Sequence, residues 1–334
     1  MQEYDPPVVL LPYSCSPLRM NVAELANMRK GLVGPTQSDT RPASDVMLQP
    51  SMQIFVINLK RSVKRRRLIT RQLERLGLAY RIFEATDGAT LTPTDIIRYT
   101  DNHPDAAGMS LSQLGCAISH QRIYETMVEE GIASALILED DLLLSASLPT
   151  LIPALEQQLT DDELILLYFV PGRGCQLTTA GEVELPGGLR LCYPMSMRNV
   201  LSATAYMLRN ETAAGLVRAG RPIRVCADCW GNFHVWGGLG RLRVVRPSPI
   251  ELRSDLPSEI GLGRLQNPLL RPFLDLVNRY DLFPFNRLLT WNRARTMATL
   301  QQMCTLTDQP SVLQSGTPGS SVVAADLQLP AEKF

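Results

Sequence analysis

The chain has 334 residues, 45% hydrophobic and 20% charged, a composition typical of a globular protein with one large domain or two small ones. Its 33 basic and 33 acidic residues balance to zero net charge, which argues against a broadly basic nucleic-acid-binding protein, so no nucleic-acid partner is expected. No apolar run is long enough to cross a bilayer, and Glu3 and Asp5 lie where a signal peptide would be basic, so we expect a cytoplasmic protein.

The N-terminal segment, residues 1–51, is rich in proline and has little hydrophobic periodicity, so we predict an irregular extension. From residue 52 onward, apolar runs alternate with amphipathic segments, and the predicted main domain covers residues 52–255. The predicted strands cover residues 54–57, 80–85, 135–138, 164–170, 202–208 and 242–245. This alternation of strands and helices predicts an α/β fold.

Capping residues and glycines give the helix boundaries within this domain. The predicted helices begin at Ser62, at Thr92 with Pro93, at residue 149 and at Asn210, and predicted ends fall at Gly77, Gly131, Leu159 and Ala219. Residues 171–194 contain several glycines, so we predict a loop and short hairpin over a cleft rather than a part of the core.

The C-terminal part divides into two predicted segments. Residues 256–305 have a helical pattern with a break at Pro284, and within 264–295 arginines alternate with aromatic residues and leucines. This stretch is interpreted either as a helical subdomain that packs its apolar face on the core or as a peripheral contact with an anionic membrane surface. Residues 306–334 are rich in Gly, Ser and Pro and are predicted to be a disordered tail.

Seven cysteines are scattered along the chain, unlike the dense framework of a small secreted domain, so we expect free thiols. Cys226 and Cys229 form a single C-x-x-C pair. A structural zinc site would need further ligands at suitable spacing, so small buried side chains are the preferred interpretation.

The most informative cluster is the acidic triplet of Glu139, Asp140 and Asp141, which follows the predicted strand 135–138. Three consecutive carboxylates at the end of an apolar run repel one another unless a cation or solvent offsets their charge, and Mg²⁺ and Mn²⁺ prefer oxygen ligands. The carboxyl edge of an α/β sheet is where such proteins bind ligands. The triplet therefore predicts a metal site, with a solvated acidic turn as the alternative.

Four motifs in the same order and spacing resemble glycosyltransferase family 25, which includes lipooligosaccharide galactosyltransferases of Gram-negative bacteria. They lie at residues 56–61, 84–88, 115–120 and 137–141, and the resemblance runs from about residue 53 to about residue 250. It implies a GT-A type α/β sandwich that binds a nucleotide-sugar, with a C-terminal helical segment added. The acidic triplet would then be the equivalent of the family's Asp-x-Asp motif.

The resemblance also implies roles for individual residues. Asp141 and Asp140 are expected to contact Mn²⁺ or Mg²⁺, one of them directly and the other directly or through water. The expected donor-binding residues are Asn58, Arg61, Asp87, Ser119, His120, Glu139 and Asp140. For Arg61 the alternative is membership of a solvated basic face, for His120 it is a structural histidine, and for Ser119 it is a bond to backbone.

Transfer with inversion requires a carboxylate that deprotonates the acceptor hydroxyl opposite the leaving group. Asp228 is the expected base, because it resembles a family aspartate that lies near a tryptophan; Asp255 is the second candidate. Trp230 or Trp236 could stack on a sugar ring, although such residues more often lie in a core. The cysteines that flank Asp228 depart from the family pattern.

Taken together, the sequence predicts a metal-dependent glycosyltransferase that moves a sugar, galactose from UDP-galactose, with inversion onto a lipooligosaccharide or related glycan acceptor. The enzyme would be cytoplasmic, and residues 264–295 would form either a helical subdomain or a peripheral contact at the inner membrane. A non-catalytic binding protein of the same fold is the first alternative. A metal-dependent phosphoesterase is the second, and three scattered histidines count against it because two-metal sites need clustered ligands.

Overall fold

The computed structural model describes residues 52–172, 174–253 and 304–314. Within these residues, a nine-stranded mixed sheet forms the centre of the fold. The predictions made for residues 1–51, for Asp255, for the helical segment 256–303 with its membrane-contact stretch, and for residues 315–334 lie outside these described residues. Within them, no helix is both long enough and apolar enough to span a bilayer.

The strands and helices alternate along residues 52–253, as predicted. The strands are β1 (Gln53–Asn58), β2 (Arg81–Glu84), β3 (Ser134–Glu139), β4 (Leu142–Leu144), β5 (Glu163–Leu166), β6 (Val170–Pro171), β7 (Gln176–Leu185), β8 (Leu189–Pro194), β9 (Val200–Leu201), β10 (Ala205–Arg209), β11 (Arg241–Arg246), β12 (Ile250–Leu252) and β13 (Thr305–Thr307). The α-helices are α1 (Val63–Arg75), α2 (Pro93–Thr100), α3 (Leu111–Glu129), α4 (Leu148–Gln158), α5 (Asn210–Ala219) and α6 (Trp230–Val235). Short 3₁₀ turns include Gly88–Thr90.

The strand order in the sheet is β13-β7-β8-β11-β5-β10-β3-β1-β2. Strands β2, β1 and β3 are parallel, and β10 lies antiparallel between β3 and β5. The carboxyl ends of β1, β3 and β5 and the amino end of β10 therefore share one edge of the sheet. A mixed α/β sheet confirms the predicted α/β class, while the GT-A type and the C-terminal helical segment stay predictions. This edge is where ligand sites of α/β proteins are found.

Helices cover both faces of the sheet, and β3 shows how the sequence achieves this. Its side chains alternate in direction, so Ile137 packs on one face while Leu136 and Leu138 pack on the other. The first face is covered by α3, α5 and α6, and the second by α1 and α4. Burial on both faces of the sheet explains why the sequence of β3 is a nearly continuous apolar run.

Most predicted helix boundaries are confirmed, but two predicted caps are wrong. Thr92 forms a capping box with Asp95 at the start of α2, and Gly77 and Gly131 adopt positive φ after α1 and α3. The Ser62 side chain makes no capping hydrogen bond to α1. Asn210 donates instead to the carbonyls of Met127 and Ile132, and thereby ties the start of α5 to the end of α3.

Two predictions about the second half of the chain are also corrected. Residues 171–194 contain the predicted hairpin, but β7 and β8 lie within the main sheet and bury residues such as Leu177 and Leu191, so the hairpin is part of the core and not a cover over the cleft. Residues 306–314 are not disordered, since β13 pairs in parallel with β7 and Ser311 donates to the carbonyl of Pro194. Composition alone predicts neither the place of the hairpin in the sheet nor the pairing of β13, because strand pairing depends on residues far along the chain.

Candidate functional site

A cleft of about 280 Å³ opens at the shared sheet edge, where the ends of β1, β3 and β5 meet the start of β10. Many of the predicted site residues line it. These are Arg61, Asp87, Ser119, Glu139, Asp140, Asp141 and Asp228. The sheet therefore brings together residues that are separated by more than 160 positions in the chain.

Asp140 is held rigidly at the end of β3. Its Oδ2 accepts a hydrogen bond of 2.6 Å from Asn58 Nδ2, and its Oδ1 accepts one of 2.7 Å from Arg65 Nη1. Burial raises the pKa of Asp140, while Arg65 and Asn58 oppose that rise. Asn58 is itself buried and also donates to the carbonyl of Ser62, so it positions Asp140 and does not line the cleft.

Only one of the two carboxylate oxygens of Asp141 accepts a hydrogen bond among the described residues. Arg65 Nη2 donates to its Oδ2 at 2.9 Å, whereas its Oδ1 is buried without a hydrogen-bond partner among the described residues. Burial and the neighbouring charges of Glu139 and Asp140 raise the pKa of Asp141 to about 7, against the opposing effect of Arg65. This buried, unpartnered carboxylate oxygen is an available ligand for a hard cation.

Glu139 lies at the back of the cleft, at the end of β3. Its Oε2 accepts a hydrogen bond from Thr204 Oγ1 at 3.2 Å, and its Oε1 lies 3.8 Å from His120 Nε2 and 4.0 Å from Cys116 Sγ. Burial raises its pKa, but His120, Thr204 and Arg65 together outweigh burial, so the pKa lies below its ordinary value. Glu139 is therefore held as a carboxylate.

His120 lies behind this carboxylate and is buried in the core. Its Nδ1 lies 2.7 Å from the Tyr206 hydroxyl, which lies 2.7 Å from the Tyr124 hydroxyl. The imidazole does not line the cleft, so direct contact with a donor phosphate or sugar, as predicted, does not fit this position. The imidazole instead lies beside Glu139, which lines the cleft.

Ser119 takes the backbone-bonding role that was its alternative. Its hydroxyl donates to the Gly115 carbonyl at 2.7 Å and accepts from the Thr86 amide at 2.8 Å. Gly115 lets α3 approach this turn closely, because a Cβ there would lie 2.7 Å from both the Thr86 oxygen and the Gly88 nitrogen. The motif at 115–120 thus fixes the loop that carries Asp87.

Arg61 and Asp87, both predicted to bind the donor, are joined by an ion pair at the rim of the cleft. Asp87 also accepts from the Ala89 amide and thereby caps the 3₁₀ turn Gly88–Thr90. About half of the Arg61 side chain is exposed, so it is accessible to a ligand at the rim. The pair combines a basic group and a carboxylate beside the end of β1.

Asp228 also lines the cleft, and the backbone amide of Ser202, a residue with positive φ, anchors its carboxylate. Its Oδ2 accepts from the Ser202 amide at 3.2 Å, and burial raises its pKa while that hydrogen bond opposes the rise. Ser202 has φ of 93°, and its carbonyl accepts from Trp230 Nε1 while its hydroxyl donates to Thr204. Strain of this kind persists where the surrounding structure fixes it, and here it lies at the cleft.

The tryptophans near Asp228 do not offer a sugar platform. Trp230 is fully buried and packs against Tyr206, and Trp236 lies under the guanidinium of Arg224, away from the cleft. Trp230 therefore takes the core position that was the alternative, and neither tryptophan lines the cleft where it could stack on a sugar. The expectation of free thiols holds for Cys226 but fails for Cys229, which is disulfide-bonded.

Sequence reasoning gave too little weight to Arg65 and missed Thr204 and Tyr168. Arg65 lies in a run of basic residues on α1, yet it is the one that turns inward, and its side chain is 11% exposed. Its place in the first turn of α1, shortly after the end of β1, was the signal that set it apart from the later basic residues of the helix. Thr204 and Tyr168 line the cleft because of strand pairing, for which the sequence carries no motif.

Comparison with known proteins shows what the region around the site is similar to. Residues 51–172 match the family model described as "Glycosyltransferase family 25 (LPS biosynthesis protein)". This confirms the resemblance found from the motifs, and the matched region contains every predicted site residue except Asp228.

Curated relatives cover a similar part of the chain. A "Glycosyltransferase 25 family member" of Drosophila pseudoobscura pseudoobscura is 35% identical over 96 residues, which are 27% of this chain and 15% of that protein. "Procollagen galactosyltransferase 1-A" of Xenopus laevis is 30% identical over 146 residues, 40% of this chain and 23% of that protein. A rat relative, 28% identical over 96 residues (27% of this chain, 17% of that protein), is named "Probable inactive glycosyltransferase 25 family member 3". The chain thus spans less than a quarter of the length of each of these relatives.

Proposed function

We propose that this chain, whose residues 51–172 match glycosyltransferase family 25, transfers a sugar from a nucleotide-sugar to a glycan hydroxyl with the help of a divalent cation. The observation that carries the proposal is the state of Asp141 at the carboxyl edge of the sheet. The carboxylates of Glu139, Asp140 and Asp141 meet there, and Arg65 bridges the last two. Asp141 Oδ1 is buried and has no hydrogen-bond partner among the described residues.

Mn²⁺ or Mg²⁺ fits Asp141 better than Asp140. Both oxygens of Asp140 already accept strong hydrogen bonds from Asn58 and Arg65, so direct ligation by Asp140 would have to share or displace those donors. Asp140 therefore serves to orient Arg65, and Asp141 is the direct ligand. When bound, the ion supplies Lewis-acid neutralisation of the departing diphosphate.

The remaining groups have separate tasks in the transfer. Arg61 and Asp87 at the rim are placed to contact the nucleotide, and Glu139, held as a carboxylate, is placed to bind sugar hydroxyls. Asp228 removes the proton of the acceptor hydroxyl. Its raised pKa, caused by burial, gives this carboxylate a higher proton affinity than an exposed aspartate, as a general base near neutral pH requires.

The finer assignments rest on the family and are proposals of the same kind. The donor is UDP-galactose, which the similarity to procollagen galactosyltransferases supports. The acceptor is a lipooligosaccharide or related glycan, which the family's description as LPS biosynthesis proteins supports. Inversion, a GT-A type fold, a cytoplasmic location and membrane contact through residues 264–295 belong to the same proposal.

A non-catalytic role is the second candidate, because one relative carries the name of a probable inactive family member. The test is UDP release from a panel of UDP-sugars by the full chain, with Mn²⁺ or with a chelator. We expect metal-dependent release with UDP-galactose that is lost in Asp141→Ala and falls at least about 100-fold in Asp228→Asn. Asp101→Asn, at an exposed carboxylate remote from the cleft, is the matched control.

The outcomes separate the candidates. Nucleotide-sugar binding without turnover in the wild type would favour the non-catalytic role. Release of inorganic phosphate without a sugar acceptor would favour a phosphoesterase. Turnover that survives in Asp141→Ala would contradict the assignment of the metal ligand.

A further inference from the structure

We infer that Cys116, His120 and Glu139 form a second metal site, which binds one thiophilic divalent ion such as Zn²⁺ at the back of the cleft. The three side chains come from α3 and from the end of β3. One ligand atom from each lies within 4.8 Å of the other two, and among the described residues this is the group with such spacing. The inference does not depend on the proposed transfer reaction.

The geometry is close to that of a tetrahedral site. Glu139 Oε1 lies 3.8 Å from His120 Nε2 and 4.0 Å from Cys116 Sγ. Zinc bonds of usual length would place such atoms about 3.4 to 3.6 Å apart in a tetrahedron. The distance between Cys116 and His120 is at most 4.8 Å, so shifts of up to about 1 Å at the side-chain ends would complete the site.

His120 supplies the independent evidence that an ion belongs here. Its Nε2 is buried and has no hydrogen-bond partner among the described residues, although it faces Glu139. The Nδ1 side is bonded to Tyr206, whose hydroxyl is bonded in turn to Tyr124. If Nδ1–H donates to Tyr206 and Tyr206 donates to Tyr124, Nε2 presents a lone pair to a carboxylate, an arrangement that a cation between them stabilises.

The chemistry of this site differs from that of Asp141. A thiolate and an imidazole select zinc, cobalt or copper, whereas carboxylate oxygens select Mg²⁺ or Mn²⁺. Burial and nearby carboxylates raise the pKa of Cys116, so its thiol is protonated without a metal. Binding forms the sulfur–metal bond and releases the thiol proton to solvent.

Cys116 and Glu139 line the cleft, whereas His120 lies behind it. An ion held by these three residues would keep one coordination position for water or a ligand on the cleft side, as three-ligand zinc sites do. The ion would bind Glu139 Oε1 and leave Oε2, which accepts from Thr204, as the oxygen available to a sugar hydroxyl.

The test is a titration of the full chain with Co²⁺, after treatment with a chelator and in the presence of a phosphine reductant. Cobalt bound to a thiolate gives a near-ultraviolet charge-transfer band that cobalt bound to carboxylates does not give. We expect this band to saturate at one equivalent, to disappear when Zn²⁺ is added, and to be lost in Cys116→Ser. It should persist in Cys226→Ser, the matched control, because Cys226 also lines the cleft but lies outside the cluster.

Two further variants keep the test decisive if Cys116→Ser folds poorly. Asp141→Ala should retain the band, which separates this site from the acidic one. Tyr206→Phe should weaken cobalt binding by about 10- to 100-fold, because it removes the partner of His120 Nδ1. Absence of a thiolate band in the wild type, or its persistence in Cys116→Ser, would overturn the inference.

Discussion

Arg65 donates to Asp141 Oδ2 at 2.9 Å, while Oδ1 of the same carboxylate is buried and accepts no hydrogen bond from the described residues. Arg65 also donates to Asp140, so a single guanidinium bridges two adjacent carboxylates at the end of β3. The bridge fixes the direction of both side chains and leaves one oxygen available. The stability and the ligand affinity of the cleft are therefore coupled through Arg65.

Replacement of Arg65 by methionine should destabilise the protein by about 3 to 5 kcal/mol, because it leaves two largely buried carboxylates without their cation. Urea denaturation in the absence of metal measures this loss. Arg67→Met is the control, since Arg67 lies exposed on the same helix and its loss should change stability by less than about 0.5 kcal/mol. Equal effects of the two substitutions would contradict the bridging role.

The raised pKa of Asp141 predicts an unusual pH dependence. Because its folded pKa of about 7 lies above that of the unfolded chain, the folded state binds more protons, and stability falls as pH rises from about 4 to about 7. The contribution lost is at most about 4 kcal/mol. Melting temperatures of chelator-treated protein between pH 5 and pH 8 should fall with pH, and Asp141→Asn should flatten that slope.

A divalent ion at Asp141 should reverse this trend, because it favours the charged carboxylate. Mn²⁺ should therefore raise the melting temperature more at pH 8 than at pH 5. Asp101→Asn serves as the matched control, with the slope of the wild type expected. A metal effect that is the same at both pH values would argue against Asp141 as a ligand.

Gly115 is predicted to tolerate no side chain. Gly115→Ala would bring a Cβ within 2.7 Å of the Thr86 oxygen and the Gly88 nitrogen, and we expect a loss of about 1 to 3 kcal/mol in stability together with weaker nucleotide binding. Gly108→Ala is the control, because a Cβ there meets nothing within 4 Å. Denaturation and nucleotide titration of both variants measure the two effects.

Cys175 and Cys304 should form a disulfide on oxidation, since their Sγ atoms lie 2.7 Å apart where β13 joins β7. Oxidised glutathione would accept the two electrons and leave as two molecules of reduced glutathione. We expect a crosslinked peptide in mass spectrometry and a gain of about 2 to 4 kcal/mol in stability. Cys175→Ser should show neither change, and oxidation that leaves both thiols free would contradict this prediction.

The sequence by itself determined the alternation of strands and helices, the position of the acidic triplet at a strand end and the family match. Local hydrophobic periodicity and capping specify the elements and the strand end, because they depend on neighbours within a few residues, whereas the family match rests on the residues of the four motifs. It also predicted that Asp87, Glu139, Asp141 and Asp228 belong to one cleft, and the structure places all four there.

Only the tertiary structure decided what each of these groups contacts. Arg65 turns inward from a basic helix face, and Asn58 donates a hydrogen bond to Asp140. His120 lies behind Glu139. These contacts depend on the long-range pairing of β3 with β1 and β10. The hairpin of β7 and β8 and the strand β13 likewise depend on partners far along the chain. Hydrogen bonds and burial between distant segments leave no period in the sequence, so their outcome follows only from the folded arrangement.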